Sequence, residues 1–89
     1  MPRVTFGSAI QRHIAIAETV VSGETVRTAL EMVFDENPRA RGYVLDDQQA
    51  LRKHMNIFVD GQAIADRRQL SDRTDPSSHI YVVQALSGG

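Results

Sequence analysis

The sequence predicts an α+β domain in which one main helix covers a mixed sheet of four to five strands. Alternating apolar residues occur near both ends of the chain, which is typical of strands with one buried face. An amphipathic helical pattern lies between them. The dipeptide Asp60-Gly61 is a strong hairpin signal between two further strand segments. In a chain of 89 residues these elements form one domain with one small core.

Two strand segments are predicted before the helix. Val4 and Phe6 alternate with polar residues and indicate a short first strand. Residues 10–15 are ambiguous, because their pattern fits either a loop or the rise into the next strand. Residues 18–21 favour β structure and predict the second strand.

The predicted helix begins at Thr25, whose hydroxyl can accept a hydrogen bond from a backbone N–H of the first turn. Apolar residues then recur at i, i+3, i+4 and i+7 and predict a buried face, which consists of Val26, Ala29, Leu30, Val33 and Phe34. The helix ends at Asn37-Pro38, because the residue before a proline disfavours helical backbone angles. Residues 39–53 are mostly polar and predict a partly ordered connection with at most one short helical turn.

The remaining strands lie in the last third of the chain. Residues 55–59 predict a strand, Asp60-Gly61 a tight turn, and residues 62–64 a short return strand. A turn-rich loop over residues 72–78 precedes the final strand, which runs over about residues 79–86. Because the helix supplies a crossover, the first and last strands can pair in parallel at the centre of the sheet. This order of elements describes the β-grasp arrangement.

The predicted domain covers residues 1–86, and residues 87–89 form a flexible tail that ends in two glycines. Ten basic and eleven acidic residues give a net charge of −1, so neither nucleic-acid binding nor a polybasic membrane anchor is expected. No apolar run approaches the roughly 20 residues of a transmembrane helix, and no signal-peptide pattern is present, so a cytoplasmic location is expected. The absence of cysteine excludes disulfides, thiolate nucleophiles and Cys-ligated metals.

Three motifs, spread over nearly the whole chain, resemble one known family. They are Gly23-Glu24-Thr25-Val26 at the helix start, Asn56-Ile57-Phe58-Val59-Asp60-Gly61 at the hairpin, and Tyr81-Val82-Val83-Gln84-Ala85-Leu86-Ser87-Gly88-Gly89 at the end. In this combination the chain resembles the ubiquitin-like sulfur carriers of the ThiS/MoaD family. The CysO-like carriers are the most similar members, because of Leu51-Arg52-Lys53-His54 before the predicted strand.

The resemblance implies that the chemistry takes place on the C-terminal carboxylate. In the family, an adenylating enzyme of the ubiquitin-activating type uses ATP and Mg²⁺ to activate the terminal glycine, and a sulfur donor then displaces AMP to give a thiocarboxylate. Carried over to this chain, Gly89 is the activated residue, and Gly88 is the flexible neighbour that fits a narrow channel. The chain is then a carrier and not an enzyme, needs no bound cofactor or metal, and passes its sulfur to a synthase.

The alternation of the strands predicts a docking surface. Phe58 points away from the expected core side of its strand, and Tyr81 and Val83 do the same in the last strand. If the helix packs on the other side, these side chains form an apolar patch on the open face of the sheet. Together with Leu86 they are the predicted partner-binding residues, and in ubiquitin-like proteins the matching positions contact partners.

The other polar residues give weaker signals. The three histidines, His13, His54 and His79, are scattered and lack metal-ligand spacing, so a structural or solvated role is favoured. The acidic residues that could pose as catalytic pairs are Asp46, Asp47, Asp72 and Asp75, and polar loops of this kind usually carry solvated charges. The basic pairs Arg52-Lys53 and Arg67-Arg68 are likewise typical of a solvated surface, although they could contact an acidic partner.

Two alternatives to the sulfur carrier stay open at this point. In the first, the chain is a protein modifier, and a lysine amine attacks the activated Gly89 to form an isopeptide bond. In the second, the chain is a β-grasp binding module whose Gly-Gly sequence has no chemical role. The activation step is shared by the carrier and the modifier, so the sequence separates these two poorly.

Overall fold

The computed structural model describes residues 1–85. In chain order the elements are β1 (Arg3–Phe6), α1 (Ser8–Gln11), β2 (Thr19–Val20), α2 (Val26–Glu36), α3 (Pro38–Val44), β3 (Met55–Val59), β4 (Gln62–Ala63) and β5 (His79–Gln84). Leu86 and the predicted tail over residues 87–89 lie outside this part of the chain. Within it, no helix is long and apolar enough to cross a membrane.

The five strands form one mixed sheet in the order β2-β1-β5-β3-β4. β1 and β5 pair in parallel at its centre, with Val4 opposite Ile80 and Phe6 opposite Val82. The other neighbouring strands pair antiparallel, so β2 and β4 are the outer strands. A five-stranded mixed sheet with a central parallel pair and one main helix is the β-grasp, or ubiquitin-like, fold, and the predicted fold class is confirmed.

The core lies between α2 and one face of the sheet. The predicted apolar face of α2 is buried along its whole length, at Val26, Ala29, Leu30, Val33 and Phe34. The inward-facing residues of the central strands are buried as well and comprise Val4, Phe6, Met55, Ile57, Ile80 and Val82. Full burial of such a side chain contributes roughly 1.5–3 kcal/mol relative to exposure, so this layer can hold together a domain that has no disulfides.

Thr25 caps α2, as predicted from the sequence. Its hydroxyl oxygen accepts a hydrogen bond from the Thr28 N–H at 3.2 Å, and the Thr28 hydroxyl accepts one from the Thr25 N–H at 3.2 Å. This reciprocal pair is a capping box, and it satisfies two backbone donors at the helix start. At the other end α2 stops at Asn37, and Pro38 begins α3, where a missing N–H has no cost.

The turn between β3 and β4 also matches its prediction. Both central residues have positive φ, 50° at Asp60 and 86° at Gly61, as a type I′ turn requires. The turn sets the register of the hairpin, in which Phe58 pairs with Ala63. It therefore decides which residues of β3 face the helix and which face away.

Several elements differ from the predictions, and β2 and β4 are each shorter than their predicted ranges 18–21 and 62–64. Residues 8–11 form α1, a single turn that the ambiguous pattern did not identify, and the complete burial of Ile10 stabilises it. α3 has seven residues and is longer than one turn, because Ala40 and Val44 lie four apart and are both buried. In helices this short, stability comes from packing and not from intrinsic propensity, so the sequence signal is weak. β5 ends at Gln84, two residues before the predicted end.

Candidate functional site

The face of the sheet opposite α2 is open and carries three of the predicted docking residues. Phe58 on β3 and Tyr81 on β5 are direct cross-strand partners, and Thr5 on β1 is the partner of Tyr81 on its other side. Tyr81 is 41% exposed, and Phe58 is half-buried. Val83 follows two residues later on β5, on the same face. The structure therefore brings Phe58, Tyr81 and Val83 together on one uncovered surface.

Part of this surface is a groove of about 730 Å³, which we call the aromatic groove. It is lined by Phe58, Asp60, Gly61, His79 and Tyr81. The His79 and Tyr81 rings lie 6.2 Å apart between centroids and are tilted by 36°. Gly61 leaves its side of the groove open, since no atom lies within 4 Å of where a Cβ would stand. The groove thus combines aromatic faces with one carboxylate.

Val83 lies beside a second, smaller hollow of about 140 Å³. This hollow also contacts Tyr81, and its remaining lining residues are Gly7, Ser8, Ala9 and Gln84. Gly7 approaches Val83 closely, because a Cβ on Gly7 would stand 3.2 Å from Val83 Cγ1. Tyr81 borders both depressions and therefore makes the predicted patch continuous from Phe58 to Val83.

A polar chain borders the aromatic groove on the β1 side. The Thr5 hydroxyl donates to Glu18 Oε1 at 2.9 Å and lies 2.8 Å from His79 Nε2. Because the single hydroxyl proton of Thr5 goes to Glu18, the bond to His79 requires that Nε2 carries a proton and donates it. Arg3 pairs with the same carboxylate, Glu18 Oε2, at 3.5 Å. These contacts fix the His79 ring and leave Arg3 and Glu18 as a neutralised pair.

Sequence reasoning missed Asp60 and His79 as members of this surface. The sequence pattern places Asp60 only in the turn and favours a structural or solvated role for His79. In the structure Asp60 Oδ1 accepts a hydrogen bond from the His79 N–H at 2.9 Å, and the Asp60 N–H donates to the His79 carbonyl at 3.0 Å. Alternation along the last strand places His79 on the face of Tyr81, which was the available signal, whereas the contact with Asp60 depends on the pairing of β3 with β5.

The end of β5 is fixed by two contacts from other elements. The Tyr43 hydroxyl on α3 donates to Gln84 Oε1 at 2.8 Å, and the Ala85 N–H donates to the His54 carbonyl at 2.7 Å. The His13 ring lies 5.5 Å from the Tyr43 ring between centroids. The predicted site residues Leu86, Gly88 and Gly89 are not among those that the structure describes. They follow a strand end whose position is set by Tyr43 and His54.

The carboxylates that could resemble acid–base pairs hold loops together. Asp46 accepts backbone N–H bonds from Ala50 at 3.0 Å and Gln48 at 2.9 Å, and these donors lower the pKa of its carboxyl group. Asp72 accepts two backbone N–H bonds at 2.9 and 2.8 Å. Asp46 accepts both bonds on Oδ1, whereas Asp72 uses both of its oxygens, and each carboxylate thereby stabilises its own loop.

Asp66 is the most strongly perturbed carboxylate. The Gln69 N–H and the Ser71 hydroxyl, together with further backbone donors, lower its pKa from 3.8 to about 2. Its oxygens organise the turn that precedes the loop at residues 72–78. Over residues 1–85, no group of three or more potential metal-ligating side chains occurs.

Arg67 was predicted to be a solvated surface residue, and this prediction is wrong. Its guanidinium is half-buried and donates to Asn56 Oδ1 at 2.8 Å and to the carbonyls of Arg52 at 2.9 Å and Met55 at 2.8 Å. These bonds tie the segment after β4 to the start of β3. A basic residue with this role has the same sequence signature as a free one, so only the fold reveals it.

Comparison with solved structures identifies several with the same fold. The solution structure of the small archaeal modifier protein 1 from Methanosarcina acetivorans has a TM-score of 0.80 and 22% identity, over 99% of this chain and 95% of that chain. The crystal structure of CysO, an antigen, from Mycobacterium tuberculosis has a TM-score of 0.80 and 13% identity, over 97% and 100% of the two chains. The Amycolatopsis orientalis BexX/CysO complex gives a TM-score of 0.77 and 17% identity over 100% of both chains.

Because these sequence identities are low, the structural similarity establishes the fold alone. CysO proteins are among the structural neighbours, so the resemblance noted in the sequence is confirmed at that level. No protein-family model matches the chain. No curated protein matches it either.

Proposed function

We propose that this chain is a ubiquitin-like sulfur carrier, and that Gly89 is adenylated and converted into a thiocarboxylate. The observation that carries the proposal is the arrangement of β5. Its outward-facing residues form the centre of an uncovered apolar face, and its end is fixed by Tyr43 and His54 directly before the segment that leads to Gly88-Gly89. The β-grasp neighbours, which include CysO proteins, support the same assignment.

The proposed reaction needs no catalytic side chain in this protein. The Gly89 carboxylate attacks the α-phosphorus of ATP, pyrophosphate leaves, and an acyl-adenylate forms. A hydrosulfide donor then attacks the acyl carbon, the bond to the AMP oxygen breaks, and a thiocarboxylate and AMP result. A free carboxylate cannot undergo the second step, because its charge repels nucleophiles and oxide is a poor leaving group. In this proposal ATP and Mg²⁺ are bound by the activating enzyme. We assign the reaction to the cytoplasm, where ATP is available.

The proposed partners are an adenylating enzyme of the ubiquitin-activating type and a synthase that accepts the sulfur. We assign the docking of the enzyme to Phe58, Tyr81 and Val83, with Leu86 directly before the tail. A contiguous apolar surface on the open face of a sheet is typical of an interaction site. The CysO protein of Amycolatopsis orientalis forms a complex with BexX, which supports a function that depends on a partner protein.

The test replaces the penultimate residue. Gly88→Ala is expected to slow ATP–pyrophosphate exchange by the cognate activating enzyme at least tenfold, because a Cβ widens a segment that must enter a narrow channel; tenfold corresponds to about 1.4 kcal/mol. Gly42→Ala is the matched control, since a Cβ on Gly42 meets no atom within 4 Å. Deletion of Gly89 should abolish exchange. Unchanged exchange in the Gly88 and Gly89 variants would refute the proposed site of activation.

A protein modifier is the second candidate, and one observation favours it. A neighbour with a TM-score of 0.80 is named a small archaeal modifier protein. Intact mass separates the readings after incubation with the activating enzyme and a sulfur donor. Replacement of oxygen by sulfur adds about 16 Da and identifies the carrier, whereas adducts of higher mass linked through lysine identify the modifier. A chain with neither change is a β-grasp binding module.

A further inference from the structure

We propose that the aromatic groove binds the guanidinium group of an arginine side chain on the partner protein. This inference specifies the chemistry of the docking face and therefore rests on the proposed function. It concerns the end of the face around Phe58, Asp60 and Tyr81, and leaves the hollow at Val83 as a separate contact.

The lining of the groove suits a flat side chain that can stack on aromatic rings. Phe58 and Tyr81 are direct cross-strand partners, so both side chains lie on the same face of the sheet. His79 also lines the groove, and its ring is held by Thr5 at 2.8 Å. Gly61 contributes no side chain to the lining. A planar cation stacks on aromatic faces of this kind, because the ring quadrupole places negative potential above them.

The charge of the groove comes from Asp60. Its position is fixed, because Oδ1 accepts the His79 N–H at 2.9 Å and the residue lies in the constrained turn. In the part of the chain that the structure describes, no cation pairs with this carboxylate. Arg3, the cross-strand partner of His79 on β1, is paired with Glu18. The groove thus carries one uncompensated negative charge beside its aromatic faces.

An arginine side chain matches both the aromatic lining and the Asp60 carboxylate, whereas an aliphatic side chain or a lysine matches only one of them. Its guanidinium stacks on rings and at the same time donates to a carboxylate. An aliphatic side chain would cover the aromatic faces but would remove the Asp60 carboxylate from water without a cation to compensate its charge, which is unfavourable. A lysine would supply the charge, but its compact ammonium stacks less well.

The test is an NMR titration of the full chain with three matched probes: N-acetyl-arginine amide, the neutral isostere N-acetyl-citrulline amide, and N-acetyl-leucine amide. We expect the arginine probe to shift the resonances of Phe58, Gly61, His79 and Tyr81 selectively. It should bind at least about threefold more tightly than the citrulline probe, as a single cation–π contact with a nearby carboxylate allows.

Asp60→Asn isolates the charge. Asparagine tolerates positive φ before Gly61 and keeps an oxygen for the His79 N–H, so the turn is retained. The preference for arginine over citrulline should fall to near unity in this variant. It should persist in the matched control Asp47→Asn, which removes the same charge from an exposed position in another loop. If Asp60→Asn lowers the melting temperature, Phe58→Leu repeats the test by removing the aromatic face instead.

Leucine-probe binding as tight as that of arginine, an absence of localised shifts, or an unchanged preference in Asp60→Asn would each overturn the inference. The titration requires neither the activating enzyme nor Gly89. A negative titration together with normal thiocarboxylate formation therefore refutes the groove alone. A positive titration without thiocarboxylate formation refutes the proposed function alone.

Discussion

Gly23, in the first of the three resemblance motifs, packs against the first turn of α2. Its φ is +155°, which L side chains rarely adopt. A Cβ at this position would stand 2.6 Å from Thr28 Oγ1 and 2.9 Å from the Ala29 backbone nitrogen. Both atoms belong to the first turn of α2, and Thr28 is half of the capping box. Gly23→Ala therefore strains the backbone and displaces the helix cap together.

The size of the effect follows from these two contributions. An unfavourable backbone conformation costs about 1–3 kcal/mol, and loss of an N-cap costs about 1 kcal/mol. Together they predict a loss of roughly 2–4 kcal/mol, which lowers the melting temperature of a domain this size by roughly 10–25 °C. Thermal and urea unfolding followed by circular dichroism measure both quantities.

Gly42→Ala is the matched substitution with the opposite expected sign. Gly42 lies in α3, has no positive φ, and has open space around its Cβ position. Alanine in a helix is more favourable than glycine by about 0.5–1 kcal/mol, so this variant should melt a few degrees higher than the parent chain. Equal melting temperatures for Gly23→Ala and the parent chain would refute the claim that close packing at the helix start requires glycine.

Two further variants test contacts away from the docking face. Tyr43→Phe removes the hydrogen bond to Gln84 and should cost about 0.5–1.5 kcal/mol in urea unfolding, with faster amide exchange at Ala85; unchanged exchange would mean that the contact does not hold the strand end. Asp66→Asn tests pH dependence. The folded pKa of Asp66, about 2, lies below its ordinary value of 3.8, so its stabilisation is present above about pH 4 and is lost as the pH falls through about 2. The melting temperatures of the two proteins should therefore differ at pH 7 and converge near pH 2, and a constant difference would contradict the assignment.

Elements with strong local signals were predictable from the sequence. Thr25 is a favoured N-cap residue and is followed by apolar residues at helical spacing. Asp60-Gly61 is a turn signal that tertiary contacts rarely override. The short helices α1 and α3 lack such signals. They exist because the fold buries Ile10, Ala40 and Val44, and burial of this kind is decided by distant parts of the chain.

The residues of the candidate site also differ in whether a local sequence pattern predicts them. Strand alternation alone placed Phe58, Tyr81 and Val83 on one face, because side chains in a strand alternate regardless of their neighbours. The contribution of Asp60 depends on the register between β3 and β5, which brings the turn next to His79. Register is a property of strand pairing, so a single strand pattern cannot reveal it.

The alternation of β5 also limits how a partner can act on Gly89. On one face of β5, Tyr81 belongs to the proposed docking surface, and the residues of the other face are buried in the core. The Tyr43 hydroxyl holds the end of the strand through Gln84. Gly89 lies eight positions after Tyr81, and an extended chain spans at most about 3.3–3.6 Å per residue. A partner that occupies the aromatic groove and reacts with Gly89 must therefore place its reactive centre within roughly 30 Å of Tyr81, whatever conformation the last residues adopt. Under the proposed function, docking and activation share one strand, and a change in the groove is then expected to alter the efficiency of activation without any contact with the reacting carboxylate.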